Sequence, residues 1–556
     1  MRSFRLAVPS NSIRYICRSP ERFGKCITTS FLLVGALFIG LAQAAIQPLW
    51  EGFDDAAHFS YIQQIVEKKS LPKYGDRLSG EIAEYLKFSP GPETLAARWT
   101  YKEFFAASID DIEKVRSLVH AARDEAPRWR NGFVANWEAQ QPPIYYLLMA
   151  PFYAVSKTWS PGDQMYLLRC ASYSLAWLGL SLAAIFWPND REASLPSPAP
   201  ALWPLFFPMW FPEMARLGND CVVVLLVAFA WIALTSGKNF AVLGCICGLG
   251  LLTKATFLPF VAAIAALLLY RRQVRELLIF IVVITAISGW WYAKQFFETG
   301  NVIGSIDQIM LSKMGGLLVN LRKNGSSELF ASGFLYLFVT FLWGAISIPP
   351  LFFYAAVLLP LILLGWGYGR YVRRSVIRPT DWIPPLTFVG LLFGLINQMV
   401  VYIALWASLA IPGYYLHSFM PVFSRSVEQG LFGIKSSRIL VRLMRVAVFA
   451  PLVFLPIAMF VQAQYFSGCS LQSSIVVYHN IFSGPCAGDL RTIFEHLSVL
   501  AFPFRALVCF ALGWTMLLIG SLMFKCSYLD EKGSEGQRTD IATRPSITAL
   551  HEHLRN

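Results

Sequence analysis

The chain has 556 residues, of which 56% are hydrophobic, 15% aromatic and only 15% charged, with a mean hydropathy of +0.50. Its charge content is well below the roughly 25% of soluble domains, and apolar runs of membrane-spanning length recur from end to end, which excludes a soluble globular core and predicts an all-α polytopic membrane protein. The net charge of +13 lies mainly in short loops and at the N-terminus rather than on a compact basic face with interleaved aromatics, so no nucleic-acid partner is expected.

In chain order, residues 1–26 carry Arg2, Arg5, Arg14, Arg18, Arg22 and Lys25 against a single acid, Glu21, and are expected in the cytoplasm. Residues 27–47 hold the first span, an uncleaved signal anchor, since its apolar run is longer than that of a signal peptide. The large polar region 48–142 is then extracytoplasmic. Residues 50–140 contain 15 of the chain's 34 acids beside twelve Lys and Arg. Short helices are predicted over 61–69, 81–87 and 110–123, with Pro90-Gly91-Pro92 as a breaker.

Residues 143–524 form the multi-helix membrane domain. An interfacial or half-membrane helix near 143–158 is too short and proline-rich for a span. Spans follow over 167–187, 201–217, 221–234, 241–252, 257–270 and 277–292. A second interfacial helix is predicted near 329–348, then spans over 351–364, 386–409, 446–461 and 500–524, with an outside loop over 466–498. The total is about 12 transmembrane helices. Basic clusters at Arg271, Arg272 and Arg275, at Arg370 to Arg378, and at Lys435 to Arg445 mark the cytoplasmic side. The tail 525–556 is polar and reads as disordered and cytoplasmic.

Chemistry is concentrated just after the first span, in Glu51-Gly52-Phe53-Asp54-Asp55-Ala56-Ala57-His58. With a helix starting near Asp55, His58 stands at i+3 from Asp55 and i+4 from Asp54, on one face. An N-cap role for Asp54 or Asp55 is the simpler alternative. Topology brings two interruptions of apolar runs, Arg216 to Asp220 and Lys254, to the same membrane face as this cluster. Lys254 suits a phosphate contact or a snorkelling lysine, and Arg216 and Asp220 suit a site role or a mutual pair. His417 with Tyr414 and Tyr415 lies at a span entrance, where tyrosines are also ordinary belt residues. Glu51, Asp54, Asp55 and His58 are ligand types compatible with a divalent cation, although no spacing identifies one. Cys469 and Cys486 share one outside loop and are a disulfide candidate. GxGxxG, P-loop, GxSxG and HExxH strings do not occur where they could act, which leaves nucleotide-driven, serine and zinc hydrolytic chemistry without support.

Taken in order, Asp54-Asp55-Ala56-Ala57-His58, QPPIYYLLMAP after the loop, Leu217-Gly218-Asn219-Asp220, GLGLLTKAT and PGYYLHSFMP resemble the GT-C superfamily of membrane glycosyltransferases, in particular its protein mannosyltransferase-like and aminoarabinose transferase-like groups. Tyr414 stands where that late signature commonly has Arg, and Asp55 where Glu is more usual. The resemblance implies a GT-C-like fold and inverting transfer of a sugar from a polyprenyl-phosphate donor to a cell-envelope glycan, lipid or protein acceptor at the outer face of a bacterial inner membrane. Asp54 would be the general base, Asp55 or Glu51 would orient it or bind a cation, His58 would belong to the same catalytic group, and Lys254 with Arg216 would hold the lipid phosphate. A transporter or flippase for lipid-linked saccharides and a non-catalytic membrane assembly protein are the alternatives. The first sits poorly with charges gathered at one face and no visible internal repeat.

Overall fold

The computed structural model describes residues 20–52, 54–91, 99–186, 196–237, 239–304, 306–327, 329, 358–375, 377–407, 413–435, 437–469 and 489–529. The protein is an all-α polytopic membrane protein. Among the described residues, six helical stretches are long and apolar enough to cross a membrane, one of them Arg438–Phe466 with a turn at 448–449, and four shorter apolar helices accompany them, against an expectation of about twelve spans.

Helix α1 (Pro20–Ile46) starts well before its apolar run, because backbone bonding continues into the basic turn. It stops at Gln47-Pro48, since proline has no N–H to donate, and the chain turns through Trp50 at φ +66°. Helix α2 (Asp55–Lys68) follows and ends on Lys69 in the left-handed conformation. Strand β1 (Arg77–Ser79) leads into α3 (Gly80–Leu86), capped where Ser79 Oγ accepts from Glu81 N. Helix α4 (Tyr101–Phe105) opens with a Thr100–Glu103 capping box, and Ser108 caps α5 (Ile109–His120). Strand β2 (Asn131–Ala135) pairs antiparallel with β1, Arg77 opposite Ala135 and Ser79 opposite Asn131. This antiparallel pair inside the polar region has no counterpart among the sequence expectations.

Helix α6 (Ile144–Val155) is short and carries Pro151, as the proline-rich string foreshadows. Helix α7 (Pro161–Ile185) is a full span. The stretch expected as one apolar piece over 201–217 divides into α8 (Pro198–Phe206) and α9 (Trp210–Met214), because Pro208 cannot continue the helix ladder. Then come α10 (Asp220–Thr235), α11 (Phe240–Leu251), α12 (Leu258–Tyr270) and α13 (Val274–Thr299). Two short helices, α14 (Ile306–Lys313) and α15 (Leu317–Asn324), occupy the next connection. All but Leu329 of the interfacial helix expected near 329–348 lies outside the described residues, as does the first half of the 351–364 span.

The remaining elements are α16 (Leu359–Arg374), α17 (Ile383–Trp406), α18 (Met420–Lys435), α19 (Arg438–Ala447), α20 (Ala450–Phe466), α21 (Leu490–Leu500) and α22 (Pro503–Phe524). Helix α21 occupies part of the stretch read as outside loop. A π-helical turn, Lys525–Leu529, extends α22.

The first and last spans run antiparallel in close contact. Phe502 N donates to Ala45 O, and a Cβ placed on Gly513 would lie 2.8 Å from Ile39 N, while one on Gly520 would lie 3.1 Å from Leu32 N. Small residues admit this backbone approach, which replaces the missing hydrophobic drive with dense van der Waals contact. The antiparallel register puts residues 525–529 beside the N-terminal end of α1. Its C-terminal end leads into the acidic segment at the opposite end of the molecule.

Candidate functional site

Adjacent aspartates point to different partners. Asp54 occupies the N-cap position of α2, yet its side chain makes no capping bond. Its Oδ1 instead accepts from Trp137 Nε1 at 2.7 Å, and its Oδ2 lies 3.7 Å from Arg216. Asp55 opens the helix one residue on and is wholly buried. Its Oδ2 accepts from Arg169 Nε at 3.0 Å and NH2 at 2.5 Å, while its Oδ1 accepts from Leu217 N at 2.7 Å. The same guanidinium donates to Gln47 O at 2.6 Å and Pro48 O at 2.8 Å. Arg169 thus ties α7, the end of α1, the start of α2 and the turn before α10 into one joint. Gly52 is required by this joint, because a Cβ there would fall 2.3 Å from the Asp55 carboxyl.

A second chain of charges meets the first. Arg216 bonds Glu213 through Nε at 3.1 Å and NH2 at 2.7 Å, and NH2 stands 3.5 Å from Asp220. Asp220, the first residue of α10, accepts from Lys254 Nζ at 2.7 Å and from Ser418 Oγ at 2.8 Å. Lys254 precedes the 3-10 turn Ala255–Phe257 and lies 4.4 Å from the Tyr415 ring centroid. The order along the chain is therefore Asp54, Arg216, Asp220, Lys254. Its interior members have side chains only 2% exposed, whereas Asp54 is 13% and Lys254 11% exposed. The two ends of this buried ionic chain are slightly more exposed than its middle.

The string after β2 supplies the third wall. Asn136 Nδ2 donates to Ala57 O, Tyr61 stacks on Tyr146 with centroids 3.6 Å apart, and Tyr61 OH donates to Gln141 O. Ile144 N donates to Leu252 O and Asn219 Nδ2 donates to Gln141 Oε1, so the proline–proline string locks against the junctions before α10 and after α11. It also delivers Glu138. Ligand atoms of Asp54, His58 and Glu138 lie within 4.8 Å of one another, and His58 Nδ1 is 2.9 Å from Tyr146 OH. Two carboxylates and an imidazole are a donor set a divalent cation accepts, with Tyr146 as the outer partner that orients the ring. Among the described residues this is the group fit for a metal ion.

Charge does not balance here without protons or a cation. Glu51, Asp54, Asp55, Glu138, Glu213 and Asp220 surround Arg169, Arg216 and Lys254, six acids against three bases. An unpaired buried carboxylate costs several kcal/mol or roughly that, so the surplus groups hold protons or share a cation. Burial pushes Glu51 from its ordinary 4.5 up to about 8, against the opposing pull of the Tyr101 hydroxyl, which donates at 2.5 Å, and of Arg169. Burial also raises Asp54, partly offset by Arg216, and raises Glu138 well above the carboxylate range, helped by Asp54 beside it. Burial, with Arg216 and Lys254 nearby, holds His58 neutral.

The residues singled out in the sequence thus divide. Asp54, His58, Arg216, Asp220 and Lys254 meet in one network. Asp55 and Glu51 lie behind it, in the Arg169 joint and against Tyr101. His417 accepts from Trp203 Nε1 at 3.3 Å and packs on Phe207, and its neighbour Ser418 reaches Asp220. Tyr414 lies in the 3-10 turn Gly413–Phe419. Cys469 is disulfide-bonded, and Cys486 lies outside the described residues. Sequence reasoning did not single out Glu138, Trp137, Glu213 or Arg169. A signal existed for Arg169 and Glu213, each a charge inside an apolar helix. Glu138 and Trp137 sit in a polar stretch where nothing local marks them.

No family model matches this sequence, and no curated protein matches it. Among solved structures, ArnT from Cupriavidus metallidurans in the apo state is similar over 84% of this chain and 76% of that one, at 11% sequence identity and a TM-score of 0.37. A likeness at that score fixes neither the details of the fold nor the chemistry of the site.

Proposed function

We propose that the protein is an integral-membrane glycosyltransferase of GT-C type that moves a sugar from a polyprenyl-phosphate donor to an acceptor hydroxyl at the extracytoplasmic face of a bacterial inner membrane. The observation that carries this reading is the buried ionic chain whose two less enclosed ends are a carboxylate and an ammonium. Transfer from a lipid phosphate needs those two groups: one to take a proton from the acceptor, the other to hold the anion that departs.

Asp54 is the general base. The acceptor oxygen attacks the anomeric carbon, the carbon–oxygen bond to phosphate breaks, and the phosphate leaves with the electron pair while Asp54 takes the hydroxyl proton. A single displacement inverts the anomeric centre. Trp137 fixes one carboxylate oxygen and Arg216 faces the other, which partly offsets the upward push of burial on Asp54. Lys254 retains donors beyond the one it gives Asp220 and stabilises the developing phosphate charge, a large contribution in a water-poor site. Glu138, His58 and Asp54 would hold a divalent cation, which supplies positive charge to the donor phosphate when bound.

The deciding experiment compares cell-envelope glycans and lipids by mass spectrometry in cells carrying the wild-type protein, no protein, or Asp54→Asn at equal expression. Loss of one sugar modification in both the deletion and Asp54→Asn is expected. Full modification with Asp54→Asn would remove Asp54 from the mechanism, and transport of a lipid-linked saccharide without covalent change would replace transfer by translocation.

A further inference from the structure

At the end of the molecule remote from the acidic network, α19 presents three stripes. Arg438 and Arg442, one helical turn apart, are exposed; Ile439, Leu443 and Val446 form a neighbouring exposed apolar stripe; Met444 and Ala447 are buried against the protein. A surface helix of a soluble protein hides its apolar stripe. Here an apolar stripe and a basic stripe are both turned outward, the pattern of a helix lying in the plane of a lipid surface. Helix α16 packs against α19 and ends in exposed Arg373 and Arg374. Trp366 on α16 and Trp382 at the start of α17 are exposed as well, and tryptophan favours the headgroup level.

The acids of this neighbourhood are already engaged. Arg425 bonds Asp381 at 3.2 Å and Glu428 at 2.8 Å. Arg373, Arg374, Arg438 and Arg442 make no ion pair among the described residues. The location is fixed by Arg445, whose NH2 donates to Leu529 O at 3.0 Å, beside the N-terminal end of α1. Four exposed guanidiniums next to an outward apolar stripe select a partner that is anionic and apolar within a few ångströms.

We propose that α19 and the C-terminal turn of α16 form a docking surface for anionic phospholipid, with the arginines on headgroup phosphates and Ile439, Leu443 and Val446 among the upper acyl carbons. Guanidinium pairs phosphate in bidentate fashion, and because a zwitterionic headgroup adds a compensating ammonium, the clustered arginines favour lipid of net negative charge. The assignment is independent of any catalytic role for the protein.

The test uses the full chain in nanodiscs of phosphatidylcholine mixed with phosphatidylglycerol, released for native mass spectrometry. Retained lipid is expected to be enriched in phosphatidylglycerol by roughly tenfold or more over the mixture supplied. The variant Arg373→Gln/Arg374→Gln/Arg438→Gln/Arg442→Gln loses most of that enrichment. The corresponding four-Lys variant, which keeps the charge, retains a substantial part. Added inorganic phosphate leaves the retained lipid unchanged. Equal retention of the two lipids, an unaltered enrichment in the Gln variant, or displacement of the lipid by inorganic phosphate would each overturn the proposal.

Discussion

One position along the chain separates a carboxylate with some exposure from one that is sealed in. Asp55 accepts three protein donors and has no exposure, so its contribution is to hold α2 against α7. Removing one partner of such a pair strands the other. Arg169→Leu is expected to destabilise the protein by about 3–5 kcal/mol, seen as a lower melting temperature in detergent, and Arg169→Leu/Asp55→Leu to recover part of the loss. Recovery stays incomplete because the Gln47 and Pro48 carbonyls also lose their donor. Asp54→Asn, by contrast, is expected to leave melting nearly unchanged while reducing transfer by about 10²–10⁴-fold in a reconstituted assay. Glu51 gives a pH signature. Its carboxyl binds a proton more tightly folded, at about 8, than unfolded, at about 4.5, so it contributes stability that is present below pH 4.5 and lost as pH rises through 8. Glu51→Gln should flatten the fall in melting temperature across that window, whereas an unchanged slope would place the proton elsewhere. Asp54, Asp220 and Lys254 stand out in the sequence because a charge beside or within an apolar run is costly unless it finds a partner. Glu138 does not, because it stands among polar residues, and its importance arises only when the string 136–146 folds back onto α2.

Elements were legible where hydrophobic period and punctuation agree. The spans, the short α6 and the capped helices of the polar region all carry local signals, and their ends fall where Pro, Ser or Thr predict. Three features escaped. The β1–β2 pair spans more than fifty residues of sequence, so no local alternation announces it. The break between α8 and α9 depends on Pro208, hidden within an otherwise continuous apolar run. The α1–α22 seam depends on which glycines oppose each other. A side chain at Gly513 meets backbone on α1 rather than a yielding rotamer. Gly513→Leu is therefore expected to force the helices apart and lower the melting temperature strongly, whereas Leu at Gly394, which has nothing within 4 Å, should be tolerated. Equal melting of the two variants would show that the close approach contributes little.

At the scale of the whole molecule, the acid-rich network lies at one end of the bundle and the exposed arginines of α16 and α19 at the other, with α1 leading from one to the other. A cysteine replacing Arg130, in the exposed turn before β2, should react with a membrane-impermeant maleimide in intact spheroplasts. One replacing Arg442 should react only after permeabilisation, in a background without other exposed thiols. Reaction of both from the same side would place the acidic network and α19 on one face and undo the proposed orientation. The seam between the opening and closing spans has a further consequence for biogenesis. Synthesis runs from α1 to α22, yet α1 completes its packing only against the segment that leaves the ribosome last. Until then the side of α1 that meets α22 has no permanent neighbour, and a chain halted before residue 503 never acquires one. Such truncated products expose a vacant helix face within the bilayer, a mark by which membrane proteases can tell an unfinished polypeptide from a finished one.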